Sequence, residues 1–77
     1  MPNNQLLGFI GGTGPEGRGL ALRFASAGYP VMIGSRDLSK AREIAEGISA
    51  QVQQSEVHGA LNLTVAENSA IVFIAVP

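Results

Sequence analysis

Glycine is concentrated in one short segment of this sequence, where positions 8–19 hold six glycines. The segment follows the apolar run Gln5–Ile10, which predicts a strand because parallel strands, buried on both faces, are continuously apolar. It leads into Gly17–Ala27, where apolar residues share one face of a predicted helix and Gly28 follows as its C-terminal stop. Glycines at a turn from strand to helix indicate that something approaches the backbone closely there.

The alternation of strand and helix continues to the last residue. The sequence predicts a strand over Tyr29–Gly34, a helix over 38–48 capped by Asp37, a short strand over Gln51–His58, a short helix over 62–68 and a strand over Ala70–Val76. Parallel strands separated by helices are joined by right-handed crossovers. We therefore predict an α/β fold, a Rossmann-type open parallel sheet in the order β-α-β-α-β-α-β, which at 77 residues would be an incomplete dinucleotide-binding domain.

The composition excludes several classes of function. With a formal net charge of -1, the chain has no bulk charge to attract nucleic acid or an acidic membrane. The absence of cysteine excludes disulfides, thiolate metal sites and a cysteine nucleophile, and the cytoplasm is the expected compartment. The N-terminus lacks the pattern of a signal peptide, and the apolar tail over 70–77 is too short to span a bilayer.

The glycines match the pattern G-x-G-x-x-G at the predicted turn from strand into helix. In this pattern Gly12 permits the tight turn, Gly14 lets a pyrophosphate approach the backbone, and Gly17 lets helix and strand pack closely. The N-H groups and positive dipole of the helix N-terminus favour phosphate binding. The predicted dinucleotide site comprises Gly12, Thr13, Gly14, Pro15, Glu16 and Gly17.

The end of the second predicted strand indicates which dinucleotide is bound. An NAD site places a carboxylate there for the adenosine ribose, but this sequence has Gly34 and Ser35. The Ser35 hydroxyl, the Arg36 guanidinium and the Lys40 ammonium can instead bind a 2′-phosphate, which favours NADP. Asp37 leaves the alternative open, since a shift of the loop would bring its carboxylate to the ribose.

The stretch "GGTGPEGRGLALRFASAGYPVMIGSRDLSKA" resembles the N-terminal segment of NADPH-dependent coenzyme F420 reductases, also called F420-dependent NADP oxidoreductases. Gly59 and Asn62 also fall at the spacing of that family. The resemblance implies NADP(H) as cofactor, coenzyme F420 as co-substrate, and phosphate binding by Thr13. It also implies that backbone at Ala75, Val76 and Pro77 lines the path to the nicotinamide. The sequence departs from the family at Ala70 and at Leu63–Thr64.

No residue is predicted to be catalytic or to bind a metal. His58 is the single histidine and has no partner ligand in the sequence, and hydride transfer between two cofactors mainly requires positioning. We expect residues 1–77 to be the N-terminal part of an NADP-binding domain that lacks the F420 domain and is inactive alone. A missing C-terminal domain or a second copy is the expected partner for the unpaired edge of the last strand.

Two alternatives remain open at this point. The glycine turn also resembles that of NmrA-like, extended short-chain reductases, although Ala60 stands where those proteins usually carry an adenine-binding aspartate after the glycine. The second alternative is a non-catalytic NADP(H)-binding sensor module, which would bind the dinucleotide without turnover.

Overall fold

Seven elements alternate between strand and helix along the chain. The computed structural model describes residues 5–11, 14–53 and 55–74. The elements are β1 (Leu7–Ile10), α1 (Pro15–Ser26), β2 (Val31–Ser35), α2 (Leu38–Gln51), β3 (Val57–Leu61), α3 (Asn62–Asn68) and β4 (Ile71–Ile74). The strands form one parallel sheet in the order β3-β2-β1-β4. This confirms the predicted Rossmann-type α/β fold.

The two faces of the sheet carry different helices. Phe9 and Ile33 are buried together with Ala21 and Ala25 of α1 and with residues of α2. Gly8 and Gly34 point to the opposite face, because successive residues of a strand alternate, and there they face α3. This arrangement follows from right-handed crossovers, since the chain moves one way from β1 to β3 and returns the other way to β4.

Aromatic rings join β4 to the core on the α1 side. Phe73 of β4 stacks on Phe9 of β1, with ring centroids 5.0 Å apart, and both rings also contact Phe24 of α1. Tyr29 meets Phe24 edge to face at 5.7 Å. Offset and edge-to-face pairs of this kind add to the stabilisation from burial alone. The aromatic cluster therefore holds the last strand against the rest of the sheet.

The ends of α1 and α2 are formed by local signals that the sequence shows. After α1, Gly28 adopts a φ of 99°, its N-H donates to Ala25 O, and Tyr29 N-H donates to Phe24 O. These bonds form a Schellman motif, which requires a left-handed residue at the position that glycine takes. At the start of α2, the Asp37 carboxylate accepts a hydrogen bond from Lys40 N-H at 3.3 Å, as predicted for an N-cap.

The predicted bounds of the third strand are wrong. Gln51 ends α2 instead of starting a strand, and β3 runs over Val57–Leu61. The helix extends this far because Ile48 and Val52 are both buried, and Val52 N-H donates to Ile48 O. Gly59, which follows the predicted strand, lies within the observed one.

Packing explains why β3 contains a glycine. A Cβ at Gly59 would collide with the Ala41 carbonyl and lie 2.5 Å from Arg42 N, both in the backbone of α2. The absent side chain thus allows α2 to lie directly on β3. The remaining bounds differ less: α1 begins at Pro15, β2 covers Val31–Ser35, and the predicted helix over 62–68 is confirmed.

β4 lies at the edge of the sheet and pairs with β1. Its described residues are Ile71–Ile74, so the predicted extension through Val76 lies outside the described residues. Ile71 and Ile74 are 46% and 69% exposed, which leaves an apolar surface beside the strand. Within the described residues, no helix is both long enough and apolar enough to cross a membrane.

The contact between Gly59 and α2 can be tested by adding a methyl group. Gly59→Ala should lower the free energy of unfolding by about 1–3 kcal/mol, because the backbone of α2 must move away. Gly47→Ala is the matched control within α2, where an added Cβ meets nothing within 4 Å. The free energy of unfolding of that variant should rise by about 0.5–1 kcal/mol, because alanine is a better helix former than glycine. Urea unfolding followed by circular dichroism measures both; a Gly59→Ala variant as stable as the parent chain would contradict the packing described.

Candidate functional site

The predicted site residues that the structure describes lie after β1 and at the end of β2, at the edge where these parallel strands end. Ile10 at the end of β1 pairs with Gly34 of β2, and Ser35 pairs with Leu61 at the end of β3. The turn after β1 and the loop after β2 are therefore neighbours. Ligands of open α/β sheets bind in the crevice outside these carboxyl ends.

The turn after β1 requires glycine at one described position for a backbone reason. Gly11 has a φ of 74°, in the left-handed region that favours glycine. The sequence pattern assigned the tight turn to Gly12, which with Thr13 lies outside the described residues. In the sequence, the consecutive pair of glycines at 11 and 12 is the feature that could have indicated a left-handed residue at Gly11.

Gly14 is free of any such requirement. Its φ of -78° and ψ of 165° are ordinary extended values, and a Cβ added there would meet no atom of the described residues within 4 Å. Neither the backbone conformation nor the packing of the described residues excludes a side chain at this position. The lack of a side chain therefore leaves open space at the start of α1, where a bound group can approach the backbone.

The N-cap residue of α1 has no side chain. Gly14 occupies this position, it makes no side-chain cap hydrogen bond, and Pro15 is in the first helical turn. Serine, threonine, aspartate and asparagine are the usual caps, so among the described residues the N-cap supplies no side-chain acceptor to the N-H groups of the first turn. Gly17 itself is buried, while the Glu16 side chain is exposed. Proline at N1 removes no useful donor, because that N-H has no partner within a helix.

Ser35 ends β2 with a buried hydroxyl that keeps its proton available. Its Oγ accepts a hydrogen bond from Asp37 N-H at 3.1 Å, and the residue is 9% exposed. A hydroxyl that accepts one bond can still donate its own hydrogen. The geometry thus fixes the Ser35 oxygen at the start of the loop and leaves a donor for a ligand.

Asp37 is engaged as the cap of α2. Its Oδ1 accepts the hydrogen bond from Lys40 N-H, so one carboxylate oxygen serves the helix. This matches the interpretation of Asp37 as an N-cap. The negative charge also sits where the N-terminus of α2 stabilises it.

Arg36 and Lys40 supply two exposed cations in the segment that follows Ser35. Both side chains are exposed, one just before α2 and the other in its first turn. Within the described part of the chain, neither forms an ion pair. Their charges are therefore available to an anion that binds at the end of β2.

The other predicted contacts, Gly12, Thr13, Ala75, Val76 and Pro77, lie outside the described residues. Among the described residues, no group of histidine, aspartate and glutamate could hold a metal ion. His58 is exposed on β3, in a shallow pocket of about 330 Å³ that Arg42 and Glu46 also line.

A larger groove lies away from the carboxyl edge. It has a volume of about 470 Å³ between α1 and α2, and Gly19, Leu22, Ile44 and Gly47 are among its lining residues. Of the predicted site residues, Pro15 alone contributes to its lining. The groove is therefore distinct from the arrangement formed by Gly14 and Ser35.

Comparison with known proteins identifies the family of this chain. Residues 6–77 match the family described as NADP oxidoreductase, coenzyme F420-dependent. The chain is 44% identical to the F420-dependent NADP reductase of Methanothermobacter marburgensis over 70 residues, which are 88% of this chain and 31% of that protein. It is 46% identical to the enzyme of the same name from Methanothermobacter thermautotrophicus over 70 residues, 88% of this chain and 30% of that one.

The chain thus spans about a third of the length of these curated relatives. The match extends over all seven elements, from before β1 to beyond β4. It also favours the first of the two family resemblances found in the sequence over the short-chain reductases. This chain belongs to the family of coenzyme F420-dependent NADP oxidoreductases.

Proposed function

We propose that this chain is the NADP(H)-binding portion of an oxidoreductase that transfers hydride between reduced coenzyme F420 and NADP. The observation that carries the proposal is Gly14, where neither the backbone nor the packing of the described residues requires the absence of a side chain. The space at Gly14 lies at the start of α1, where the N-cap residue has no side chain. A pyrophosphate fits this place because it accepts hydrogen bonds from backbone N-H groups and is stabilised by the helix dipole.

Recognition of the 2′-phosphate is proposed for the loop after β2. The Ser35 hydroxyl would donate to a phosphate oxygen, while Arg36 and Lys40 would supply positive charge. Charge-assisted bonds to phosphate are among the strongest polar contacts in proteins. NAD has a hydroxyl at the same position, so these residues would favour NADP.

The part of this chain in catalysis would be to bind and orient the dinucleotide. Reduced F420, when bound, supplies the hydride that reduces NADP, and it is itself oxidised by two electrons. Backbone at Ala75, Val76 and Pro77, which follow β4 in the sequence, is proposed to line the approach to the nicotinamide. Because the named relatives are about three times as long, we propose that the F420 side of the site is formed by sequence beyond this chain.

Gly14→Ala separates binding from folding. The free energy of unfolding should change by less than about 0.5 kcal/mol, because the added methyl group meets open space. Affinity for NADP and NAD should both fall by at least about tenfold, since the methyl group occupies the place of the pyrophosphate. Isothermal titration calorimetry measures the affinities and urea unfolding the stability.

Gly19→Ala is the matched control for this experiment. It adds the same methyl group to the same helix, also into open space, but one turn further from the phosphate site. Its affinity for both dinucleotides should equal that of the parent chain. Unchanged binding in Gly14→Ala would contradict the proposed pyrophosphate site.

Arg36→Ala tests the choice between NADP and NAD. NADP affinity should fall about 10- to 100-fold, because one charge-assisted contact to phosphate is lost. NAD affinity should remain within about twofold, because NAD has no phosphate there. Parallel calorimetric titrations with the two dinucleotides measure the ratio.

Arg42→Ala is the control for the loss of one positive charge. Arg42 is exposed on α2, where it lines the pocket beside Val57 and His58. Its removal should leave the ratio of NADP to NAD affinity unchanged. If Arg36→Ala lowered the affinities for NADP and NAD by the same factor, Arg36 would not be in contact with a 2′-phosphate.

A further inference from the structure

Asn62 carries a buried polar atom that the protein leaves unpaired. Its Oδ1 is removed from solvent and accepts no hydrogen bond, although the residue as a whole is half-buried. The amide lies over Gly34, where an added Cβ would be 2.6 Å from Oδ1. Buried carbonyl oxygens almost always have a donor, so an unpaired one requires an explanation.

The position of Asn62 in the fold places it at the carboxyl edge of the sheet. It directly follows Leu61, the residue of β3 that pairs with Ser35 of β2. The sheet order β3-β2-β1-β4 makes β3 the next strand beyond β2 on the side away from β1. A dinucleotide with its pyrophosphate at α1 and its 2′-phosphate at Ser35 and Arg36 therefore has its adenine directed towards the end of β3.

Among the described residues, the Asn62 amide makes no internal hydrogen bond that a turn towards a ligand would break. Asn68, in the same helix, differs because its Nδ2 donates to Thr64 O at 2.7 Å. Ser69 Oγ, a second unpaired buried atom in the described part of the chain, lies over Gly8, just before β4 begins and therefore towards the opposite edge of the sheet. Of these side chains, Asn62 alone is both unpaired and next to the proposed adenosine site.

We propose that the Asn62 amide recognises the adenine base of the dinucleotide, with Oδ1 accepting a hydrogen bond from the exocyclic amino group. An asparagine amide is complementary to adenine because the base offers the N6 amino donor beside the N7 acceptor. Turning to the base gives Oδ1 the donor that it lacks in the chain itself. This assignment rests on the proposed NADP site and adds selection of the base to the selection of the 2′-phosphate.

The test compares NADP with its hypoxanthine analogue, in which oxygen replaces the exocyclic amino group of adenine. The analogue keeps both phosphate sites and reverses the hydrogen-bonding character at the atom that Asn62 would contact. The parent chain should bind NADP about tenfold more tightly than the analogue. In Asn62→Leu the two affinities should come within about twofold of each other, because the side chain no longer accepts a hydrogen bond.

Two control variants locate the effect. Arg36→Ala should lower the affinities for NADP and for the analogue by the same factor, since both carry the 2′-phosphate. The ratio of the two affinities should therefore stay as in the parent chain. Asn68→Leu should leave the affinities and their ratio as in the parent chain, because the Asn68 amide is tied to its own helix. Circular dichroism spectra of all variants show whether the fold is retained.

The outcomes distinguish this assignment from the site on which it rests. Equal binding of NADP and the analogue by the parent chain, with Arg36→Ala still weakening both, overturns the role of Asn62 and leaves the NADP site intact. The role of Asn62 is also overturned if Asn62→Leu leaves the ratio of NADP to analogue affinity unchanged, even if both affinities fall. A purely structural role would lower the affinities for both nucleotides by the same factor. Failure of the folded parent chain to bind either compound overturns the NADP site and this assignment with it.

Discussion

The parallel pairing of β1 with β2 determines where every group of the candidate site lies. Because Ile10 stands beside Gly34, the turn into α1 and the loop into α2 leave the sheet at the same edge. The core supports this register, since Phe9 and Ile33 are both buried on the face that α1 and α2 cover. A slip of one residue would turn these side chains to the face of α3, so the hydrophobic pattern that stabilises the fold also aligns the site.

The glycines of this chain serve different physical purposes, and distinguishing them separates fold from function. Gly11 and Gly28 have a positive φ and form turns. Gly34 and Gly59 lie where a Cβ would collide with a packed helix. Gly14, Gly19 and Gly47 satisfy neither condition among the described residues. Of these three, Gly14 is the N-cap of α1 at the carboxyl edge of the sheet, and this position is what points to a ligand there. Nothing in the described structure explains the other two.

Local sequence signals predicted much of this structure, because several elements depend on neighbouring residues. The Asp37 cap, the glycine stop after α1 and the helix over 62–68 were all predicted and are confirmed. The predicted bounds of the third strand were wrong because the residues around Gly59 do not show why a glycine is needed there. The reason is its contact with Ala41, which is distant in sequence. The sequence likewise indicated which residues form the candidate site but not that Ser35 Oγ accepts from Asp37 N-H, since that contact needs the folded loop.

Both α1 and α2 begin at the carboxyl edge of the sheet, and their N-termini differ in the residue that caps them. At α2 the Asp37 side chain is the N-cap, and its carboxylate accepts from Lys40 N-H and partly balances the helix dipole. At α1 the N-cap is Gly14, which has no side chain to accept such a bond, and the acidic residue of the first turn, Glu16, has an exposed side chain. Positive charge at α2 comes instead from the Arg36 and Lys40 side chains. Backbone recognition at α1 would thus serve any dinucleotide, while discrimination between dinucleotides would reside in side chains of residues 35–40, where substitution can alter it without disturbing the turn.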